Sequence, residues 1–200
     1  MGGDYVLDVG SNFGWYTILM GNLVGINGRV FSFELIPQIA QQQKRNIELN
    51  GLKNVVLEMS GLGDDNKEIE VFWSEKWNTG NIKENLLESA AKKRIGKILR
   101  LDDYVLENKI EKIDFIKCDV DGSEIGFLKG ARKTLSKFKP SMIIELNEEC
   151  QLRHGSSCSE VFDEIAPYGY KYKLVSTNEK FDPLSIKDWR GFSDNLLCIL

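Results

Sequence analysis

The sequence predicts an α/β protein: a mostly parallel sheet of seven strands, covered by helices on both faces. Short runs rich in apolar and β-branched residues alternate along the chain with longer stretches of helical character. A turn with two glycines follows the first of these runs directly, which is typical of a parallel strand passing into a helix. Since the chain has 200 residues and no repeat or linker, we expect one domain over residues 1–200.

The order of the elements follows from apolar periodicity and from the positions of glycine and proline. Predicted strands cover residues 5–9, 30–33, 55–59, 115–118, 142–145, 170–175 and 195–200. Predicted helices cover residues 15–20, 37–50, 123–138 and 159–168. Pro37 suits the first turn of the second helix, and Pro140 ends the third. The long connection before the last strand suits a Rossmann-like sheet.

Residues 61–111 are less regular and predict a small insertion over one end of the sheet. Within it, Ile69–Trp73 alternates like a strand, and Lys97–Arg100 is expected to pair with it. Three polar or aromatic residues of this insertion have two interpretations: stacking on a sugar ring of an acceptor, or anchoring of the insertion to the core. These residues are Trp73, Trp77 and Asn81.

Charge disfavours nucleic acid as a main partner. The net charge is −4, whereas proteins that wrap around phosphates usually carry a basic excess. One basic run is interpreted as the solvated face of a helix, with a site for an anionic or nucleotide-linked substrate as the alternative. It consists of Lys92, Lys93, Arg94, Lys97 and Arg100.

The sequence predicts a cytoplasmic protein without a membrane span. No run approaches the roughly 20 apolar residues that cross a bilayer, and no signal peptide is recognisable. The four cysteines lack the spacing of a disulfide framework, and Cys118 and Cys198 are interpreted as buried thiols. The first strand begins abruptly after Met1, which leaves open a preceding segment of a longer protein.

The turn Gly10–Gly14 and the acid that ends the second strand point to a nucleoside cofactor. Asn12 stands where the dinucleotide fingerprint requires its second glycine, which disfavours a pyrophosphate cradle. S-adenosyl-L-methionine carries an amino-acid end and a ribose instead. We expect the turn's amides to meet its carboxylate, Asp8 to accept from its ammonium directly or through water, and Glu34 to accept from both ribose hydroxyls. A turn that serves packing only is the alternative.

Three segments share their order and spacing with a known family. Residues 8–17 read DVGSNFGWYT, residues 33–37 read FELIP with NIELNG at 46–51, and residues 116–124 read IKCDVDGSE with LKGA at 128–131. Over residues 4–147 they resemble the FkbM-type methyltransferases, from which the chain departs with Ser11 for alanine and Asp121 for the usual glutamate. The resemblance implies a class I methyltransferase fold, S-adenosyl-L-methionine as cofactor, and O-methylation of a small molecule such as a sugar or natural product.

Acidic residues at the ends of two strands are the candidates for catalysis. Methyl transfer requires in-line alignment of the acceptor and removal of its proton. Asp119, Asp121 and Glu124 follow a buried strand at the edge where a parallel sheet opens its ligand crevice, and Glu145 ends the next strand. For Asp121 and Glu124, capping of the following helix is the alternative. The carboxylates could also hold a divalent cation, but without a decisive ligand pattern we predict no metal.

His154 is the only histidine and is expected in a loop that faces the crevice or the bulk solvent. Its spacing to Cys150 and Cys158 permits a zinc interpretation, but a fourth ligand is missing and residues 155–157 break the helical spacing.

The predicted catalytic residues are Asp119, Asp121, Glu145 and His154. The predicted cofactor-binding residues are Asp8, Gly10, Ser11, Asn12, Gly14, Tyr16, Glu34, Leu35, Gly61, Leu62 and Asp119. Two other functions stay open: a non-catalytic S-adenosyl-L-methionine-binding or assembly module, and a nucleotide-dependent oxidoreductase, against which the missing second glycine counts.

Overall fold

The computed structural model describes residues 2–74, 79–81 and 92–200. The strands are Tyr5–Val9 (β1), Arg29–Phe33 (β2), Val55–Glu58 (β3), Gly61–Leu62 (β4), Lys67–Ser74 (β5), Thr79–Asn81 (β6), Lys92–Leu99 (β7), Phe115–Cys118 (β8), Ser141–Asn147 (β9), Lys171–Leu174 (β10), Lys180–Phe181 (β11) and Ser193–Ile199 (β12). The helices are Trp15–Val24 (α1), Pro37–Leu49 (α2), Leu101–Glu107 (α3), Glu124–Gly130 (α4), Arg132–Phe138 (α5), Glu148–His154 (α6) and Cys158–Ile165 (α7).

The main sheet has the strand order β11-β10-β12-β9-β8-β1-β2-β3. Strands β1, β2, β3, β8 and β9 are parallel, whereas β12 is antiparallel between β9 and β10. The predicted Rossmann-like, mostly parallel sheet is therefore confirmed. The strand number differs: the two-residue strand β11 adds an eighth strand beside β10. Two residues show no periodicity, so the sequence does not predict such a strand.

Both faces of the central strands are buried, as expected for a parallel sheet between helices. One face contributes Leu7, Phe33 and Ile116 to the largest core cluster. The other face is apolar at Val6 and Val30, which pack with α1. On this second face, however, three neighbouring strands place Ser32, Asp8 and Lys117 side by side, and all three are buried. A polar row thus crosses the sheet near its carboxyl edge.

A second sheet with the order β4-β7-β5-β6 lies in the predicted insertion. Strands β5 and β7 pair antiparallel, but the register differs from the prediction: Ile69–Trp73 lies opposite residues 92–96, whereas Lys97 and Ile98 lie opposite Glu68 and Lys67. Trp73 is buried with Ile36 and Ile39 at the start of α2, so it anchors this sheet and does not offer a free stacking surface. Asn81 lies in β6, opposite Phe72, and Trp77 lies outside the described residues.

The basic run is not on a helix, contrary to the prediction. Lys92, Lys93, Arg94 and Lys97 belong to strand β7 and are exposed. Lys93 forms an ion pair with Glu70 of the neighbouring strand. The solvated interpretation is correct for these four residues, but they lie on a strand; Arg100, the fifth residue of the run, precedes α3 and is partly buried.

The helix predicted over residues 123–138 is divided into α4 and α5 at Ala131. The buried Asp102 explains the division, because its carboxylate accepts from the backbone amides of Lys133 (3.1 Å) and Thr134 (2.8 Å). This side chain, about 30 residues away in sequence, satisfies amides that a new helix start leaves open. The contact is tertiary, so the local pattern of residues 123–138 does not reveal it.

Residues 148–154 form the helix α6, which the sequence did not predict. Asn147 accepts from the amide of Cys150 at its start, and Gly155 ends it with a φ of 81°. Among the described residues, no helix combines the length and the apolar character that spanning a membrane requires.

Candidate active site

A cleft of about 1030 Å³ opens at the carboxyl edge of the parallel strands. The turn after β1, the end of β2 and the loop after β8 form its base, and the second sheet forms one wall. This is the position where open α/β sheets bind ligands. Nine of the predicted cofactor-binding residues line it: Gly10, Ser11, Asn12, Tyr16, Glu34, Leu35, Gly61, Leu62 and Asp119.

The turn after β1 depends on two glycines in the left-handed region. Gly10 has a φ of 76°, and a Cβ there would lie 1.9 Å from the carbonyl oxygen of Asp119. Gly14 has a φ of 86°, and its Cβ would lie 2.7 Å from Cγ of Gln43. No other residue type fits either position without moving its neighbours. Gly14, however, packs against α2 and does not line the cleft, so its role is to shape the turn.

The amides of this turn are already engaged within the protein. The amides of Gly10 and Ser11 donate to the carbonyl of Phe33, at 3.1 and 3.0 Å. The amide of Asn12 donates to Glu34, and the amide of Phe13 donates to the side chain of Asn12. The amide of Gly14 donates to the carbonyl of Ser11. Since each of these amides already has an acceptor, the hydrogen bonds disfavour them as donors to the carboxylate of the cofactor.

Glu34 lies at the end of β2 with its carboxylate held at both oxygens. Its Oε2 accepts from the amide of Asn12 (2.9 Å), and its Oε1 accepts from the amide of Ile36 (2.8 Å). Burial raises the pKa of Glu34, an effect that these two bonds oppose. Each oxygen keeps a free lone pair, so the fixed carboxylate can accept from two further hydroxyls.

Asp8 lies beneath the cleft, not in its wall. It has no exposed surface, and its Oδ2 accepts from the hydroxyl of Thr17 at 2.5 Å. Its Oδ1 is buried and has no hydrogen-bond partner among the described residues. Burial raises the pKa of Asp8, whereas the nearby Lys117 lowers it. Of the two contacts that we expected with the cofactor ammonium, direct or through water, this buried position favours the one through water.

A buried polar network supports the turn from below, and the sequence analysis did not anticipate it. Nε2 of Gln43 donates to the hydroxyls of Ser32 (2.6 Å) and Thr17 (2.9 Å), and its Oε1 accepts from Ser11 (3.0 Å). Through Thr17 the network reaches Asp8. It connects β1, β2, α1 and α2 directly under the glycine turn and so holds the turn in place.

Lys117 is a further residue of the site that the sequence analysis missed. It is 6% exposed, and its Nζ lies 2.9 Å from Oδ2 of Asp119 and 4.7 Å from the ring centre of Tyr16. Asp119 and Asp8 raise its pKa against the opposing effect of burial, so the ammonium stays charged. A lysine within the apolar strand β8 was the available signal, because a lysine is rarely buried unless it is paired.

Asp119, Asp121 and Glu145 form a carboxylate cluster beside this lysine. One oxygen from each lies within 4.8 Å of the others. Asp119 and Asp121 line the cleft, and Glu145 stands behind them on β9. Burial, followed by the charge of Asp119, raises the pKa of Glu145 to about 7. Carboxylates this close do not all ionise readily, so the cluster takes up a proton near neutral pH.

Glu124 does not belong to the cleft wall. Its buried carboxylate accepts from the amide of Val120 at 3.1 Å and from the side chain of Gln151. It thus closes the loop that carries Asp119 and Asp121.

His154 lines the cleft, next to Gly122. It is the last residue of α6, not part of a loop. Among the described residues, Asp119, Asp121 and Glu145 are the group whose ligand atoms meet closely enough for a metal, so His154 and its neighbouring cysteines form no zinc site. The predicted burial of Cys118 and Cys198 is confirmed, and all four cysteines are free thiols.

The sequence model of the methyltransferase FkbM domain matches residues 8–172. The chain belongs to the FkbM methyltransferase family. The match covers most of the chain and includes the turn after β1, Glu34, and the loop after β8.

Solved structures show the same fold as this FkbM domain at low sequence identity. A methyltransferase FkbM from Methylobacillus flagellatus KT superposes with a TM-score of 0.61 at 16% identity, over 98% of this chain and 43% of that one. A fibrillarin from Aeropyrum pernix, solved with natively bound S-adenosyl-L-methionine, gives 0.55 at 12% identity, over 99% of this chain and 67% of that one.

Curated relatives of the FkbM domain match over a short segment. A protein-L-isoaspartate O-methyltransferase from Aeropyrum pernix is 39% identical over 61 residues, which are 30% of this chain and 24% of that protein. The corresponding protein from Pyrococcus horikoshii is 44% identical over 50 residues, 25% of this chain and 22% of that protein. The chain thus matches about a quarter of the length of these relatives.

The cofactor of this family is S-adenosyl-L-methionine, and the FkbM cleft has the groups that suit it. Glu34 offers two fixed acceptors for a ribose, and the apolar Leu35 and Leu62 line the same part of the cleft. The carboxylates of the loop after β8 give the cleft a negative field that favours a sulfonium. The acceptors of Glu34, the apolar lining and the negative field thus fit the ribose and the sulfonium of S-adenosyl-L-methionine.

Proposed function

We propose that this domain transfers a methyl group from S-adenosyl-L-methionine to a hydroxyl of a small molecule, such as a sugar or a natural product. The observation that carries the proposal is the carboxylate cluster of Asp119, Asp121 and Glu145, which adjoins the turn after β1. Proton acceptors thus stand at the end of the cleft where the cofactor's reactive centre would face an acceptor.

The cofactor supplies a methyl group that the sulfonium already activates. The protein must therefore orient the acceptor hydroxyl and remove its proton. Asp119 and Asp121 face the cleft and would contact that hydroxyl. Glu145 lies behind Asp119, and its pKa of about 7 allows the cluster to hold and release a proton under neutral conditions.

The position of Lys117 makes the surroundings of Asp119 and Asp121 different. Its ammonium pairs with Asp119 at 2.9 Å, so this carboxylate already has a partner within the protein. Asp121 is the more exposed of the two carboxylates, and burial raises its pKa. We therefore assign Asp121 as the first acceptor of the hydroxyl proton and Asp119 as the acid that orients the hydroxyl. His154, at the end of α6, is a further candidate proton acceptor.

Residues 61–70 and Ile98, from the described part of the predicted insertion, would form the acceptor-side wall within the same domain. Three polar residues line the cleft on this side: Lys67 and Glu70 of β5, and Asp64 of the loop before it. Such groups suit a hydroxylated acceptor, since hydrogen bonds orient it. The basic residues between Lys92 and Arg100 do not line the described part of the cleft, so they give no support to an anionic acceptor.

Calorimetric titration with S-adenosylhomocysteine tests the cofactor part of the proposal. We expect saturable binding that Glu34→Ala weakens by about 100-fold, because two charge-assisted hydrogen bonds are lost. Glu70→Ala is the matched control, since this exposed glutamate lines the opposite wall. Folded wild-type protein that does not bind S-adenosylhomocysteine would contradict the assignment.

Transfer is tested with isotopically labelled S-adenosyl-L-methionine and a panel of hydroxylated sugars and phenols. Labelled ether products support the proposal. Labelled carboxyl or amine products from matched panels would assign a different acceptor class, and binding without transfer to any of the three classes would indicate a non-catalytic module.

A further inference from the structure

The amino-acid end of the cofactor carries a carboxylate, and this anion requires a donor in the cleft. The amides of the turn Gly10–Gly14 are all engaged with acceptors of the protein. An anion placed near them would therefore have to displace an existing hydrogen bond. Another donor at this end of the cleft is needed.

Lys117 is positioned to be that donor. It lies opposite Asp8 in the register of β1 and β8, and the following residue, Cys118, lies opposite Val9. The backbone of Asp119 contacts Gly10 directly. The ammonium of Lys117 thus lies beside the turn and under the ring of Tyr16, in the first turn of α1.

We propose that Lys117 binds the α-carboxylate of S-adenosyl-L-methionine, while Asp119 beside it accepts from the α-ammonium. The inference rests on the proposed cofactor site. The ion pair of Lys117 and Asp119, at 2.9 Å, would then match the paired charges of an amino acid. Such a pair discriminates strongly, since a ligand without the carboxylate leaves the buried ammonium with fewer partners.

Among the described residues, Lys67 is the second lysine that lines the cleft, and its position differs from that of Lys117 in two ways. It belongs to β5 in the second sheet, away from the turn after β1. Its side chain is 47% exposed and pairs with Asp64 at 3.1 Å. An exposed pair of this kind contributes little to binding. Lys67 therefore provides a matched control for the same substitution.

The test compares two ligands by calorimetry: S-adenosylhomocysteine, and its decarboxylated analogue, S-adenosyl-3-thiopropylamine, which keeps the amine. We expect the wild-type protein to bind the first about 10- to 100-fold more tightly, the range of one charge-assisted hydrogen bond. In Lys117→Met this ratio falls to about one, whereas Lys67→Met retains it. Combining the change of residue 117 with the change of ligand isolates the contact between the Lys117 ammonium and the ligand carboxylate.

A ratio that Lys117→Met leaves unchanged would overturn the inference and assign the carboxylate to the first amides of α1. So would a wild-type protein without preference between the ligands. In both cases the cofactor site stands if Glu34→Ala still weakens binding. A wild-type protein that binds neither ligand rejects the cofactor site as well.

Thermal unfolding establishes that each variant is folded before the ratio is judged. Should Lys117→Met not fold, Lys117→Gln is measured in its place, because its amide can still donate to Asp119. The same ratio decides the outcome, since it compares two ligands on one protein.

Discussion

Gly10 and Asp119 are in direct backbone contact: a Cβ built on Gly10 would lie 1.9 Å from the carbonyl oxygen of Asp119. The amide of Asp119 also donates to the carbonyl of Val9 at 3.0 Å. This contact joins the turn after β1 to the loop after β8. It therefore brings the proposed cofactor site and the carboxylate cluster to the same point of the sheet edge.

Gly10→Ala should destabilise the protein by about 3 kcal/mol or more and abolish binding of S-adenosylhomocysteine. An alanine would have to adopt a left-handed φ, and its methyl group would clash with the backbone of Asp119, which cannot move freely. Gly169→Ala is the matched control, because Gly169 has a φ of 75° but nothing within 4 Å of a Cβ. Urea unfolding should show a loss of only about 1 kcal/mol there. Equal losses at the two positions would disprove the importance of the contact.

Gln43→Met should reduce the free energy of unfolding by about 2–4 kcal/mol. The substitution keeps the length of the side chain but removes three hydrogen bonds to Ser11, Thr17 and Ser32. Gln42→Met, on the exposed side of the same helix, is the control and should change the stability by less than about 0.5 kcal/mol. Binding of S-adenosylhomocysteine should weaken with Gln43→Met alone, because the turn loses its support. Unaltered stability would show that the network contributes little.

The stability of the wild type should fall, relative to Glu145→Gln, as the pH rises from about 4.5 to above 7. The folded pKa of Glu145, about 7, exceeds the ordinary 4.5, so the folded state binds the proton more tightly. The stabilisation by this proton is complete below the unfolded pKa and is lost as the pH passes the folded pKa. We expect a difference of about 1–2 kcal/mol, less than the full linkage value, since solvent screens the partly exposed group.

Urea unfolding of both proteins between pH 4.5 and pH 8.5 measures this difference. Glu149→Gln is the control, because Glu149 is an exposed glutamate of the neighbouring helix α6. A constant difference between the wild type and Glu145→Gln across this range would refute a raised pKa in the folded state.

Asp121→Asn should lower the rate of methyl transfer by about 10²- to 10⁴-fold, the usual contribution of a proton acceptor. Asparagine tolerates the φ of 50° at this position, so the backbone should be preserved. Binding of S-adenosylhomocysteine should change by less than about threefold, which separates chemistry from cofactor binding. The exposed Asp65→Asn provides the control on a loop outside the cleft lining. A full rate with Asp121→Asn would transfer the role to Asp119 or His154.

Local sequence signals predicted the parts of the site that belong to single segments. The turn from Gly10 to Gly14 and the acid Glu34 are each recognisable because a strand, its end and the next residue types are contiguous. The helix start at Arg132 was missed for the opposite reason: the carboxylate that satisfies its amides comes from Asp102, in α3. Such a contact leaves no periodic trace in residues 123–138.

The sequence by itself determined the alternation of strands and helices, the glycine turn, and the acids that end the strands. Hydrophobic period and residue type encode these features within a few positions of the chain. Only the tertiary structure decided which polar groups meet: it engages the turn's amides, places Gln43 beneath the turn, and sets Lys117 against Asp119. The reason is that most buried polar groups find a partner, and the partners of Gln43 and of the first amides of the turn lie far away in the sequence.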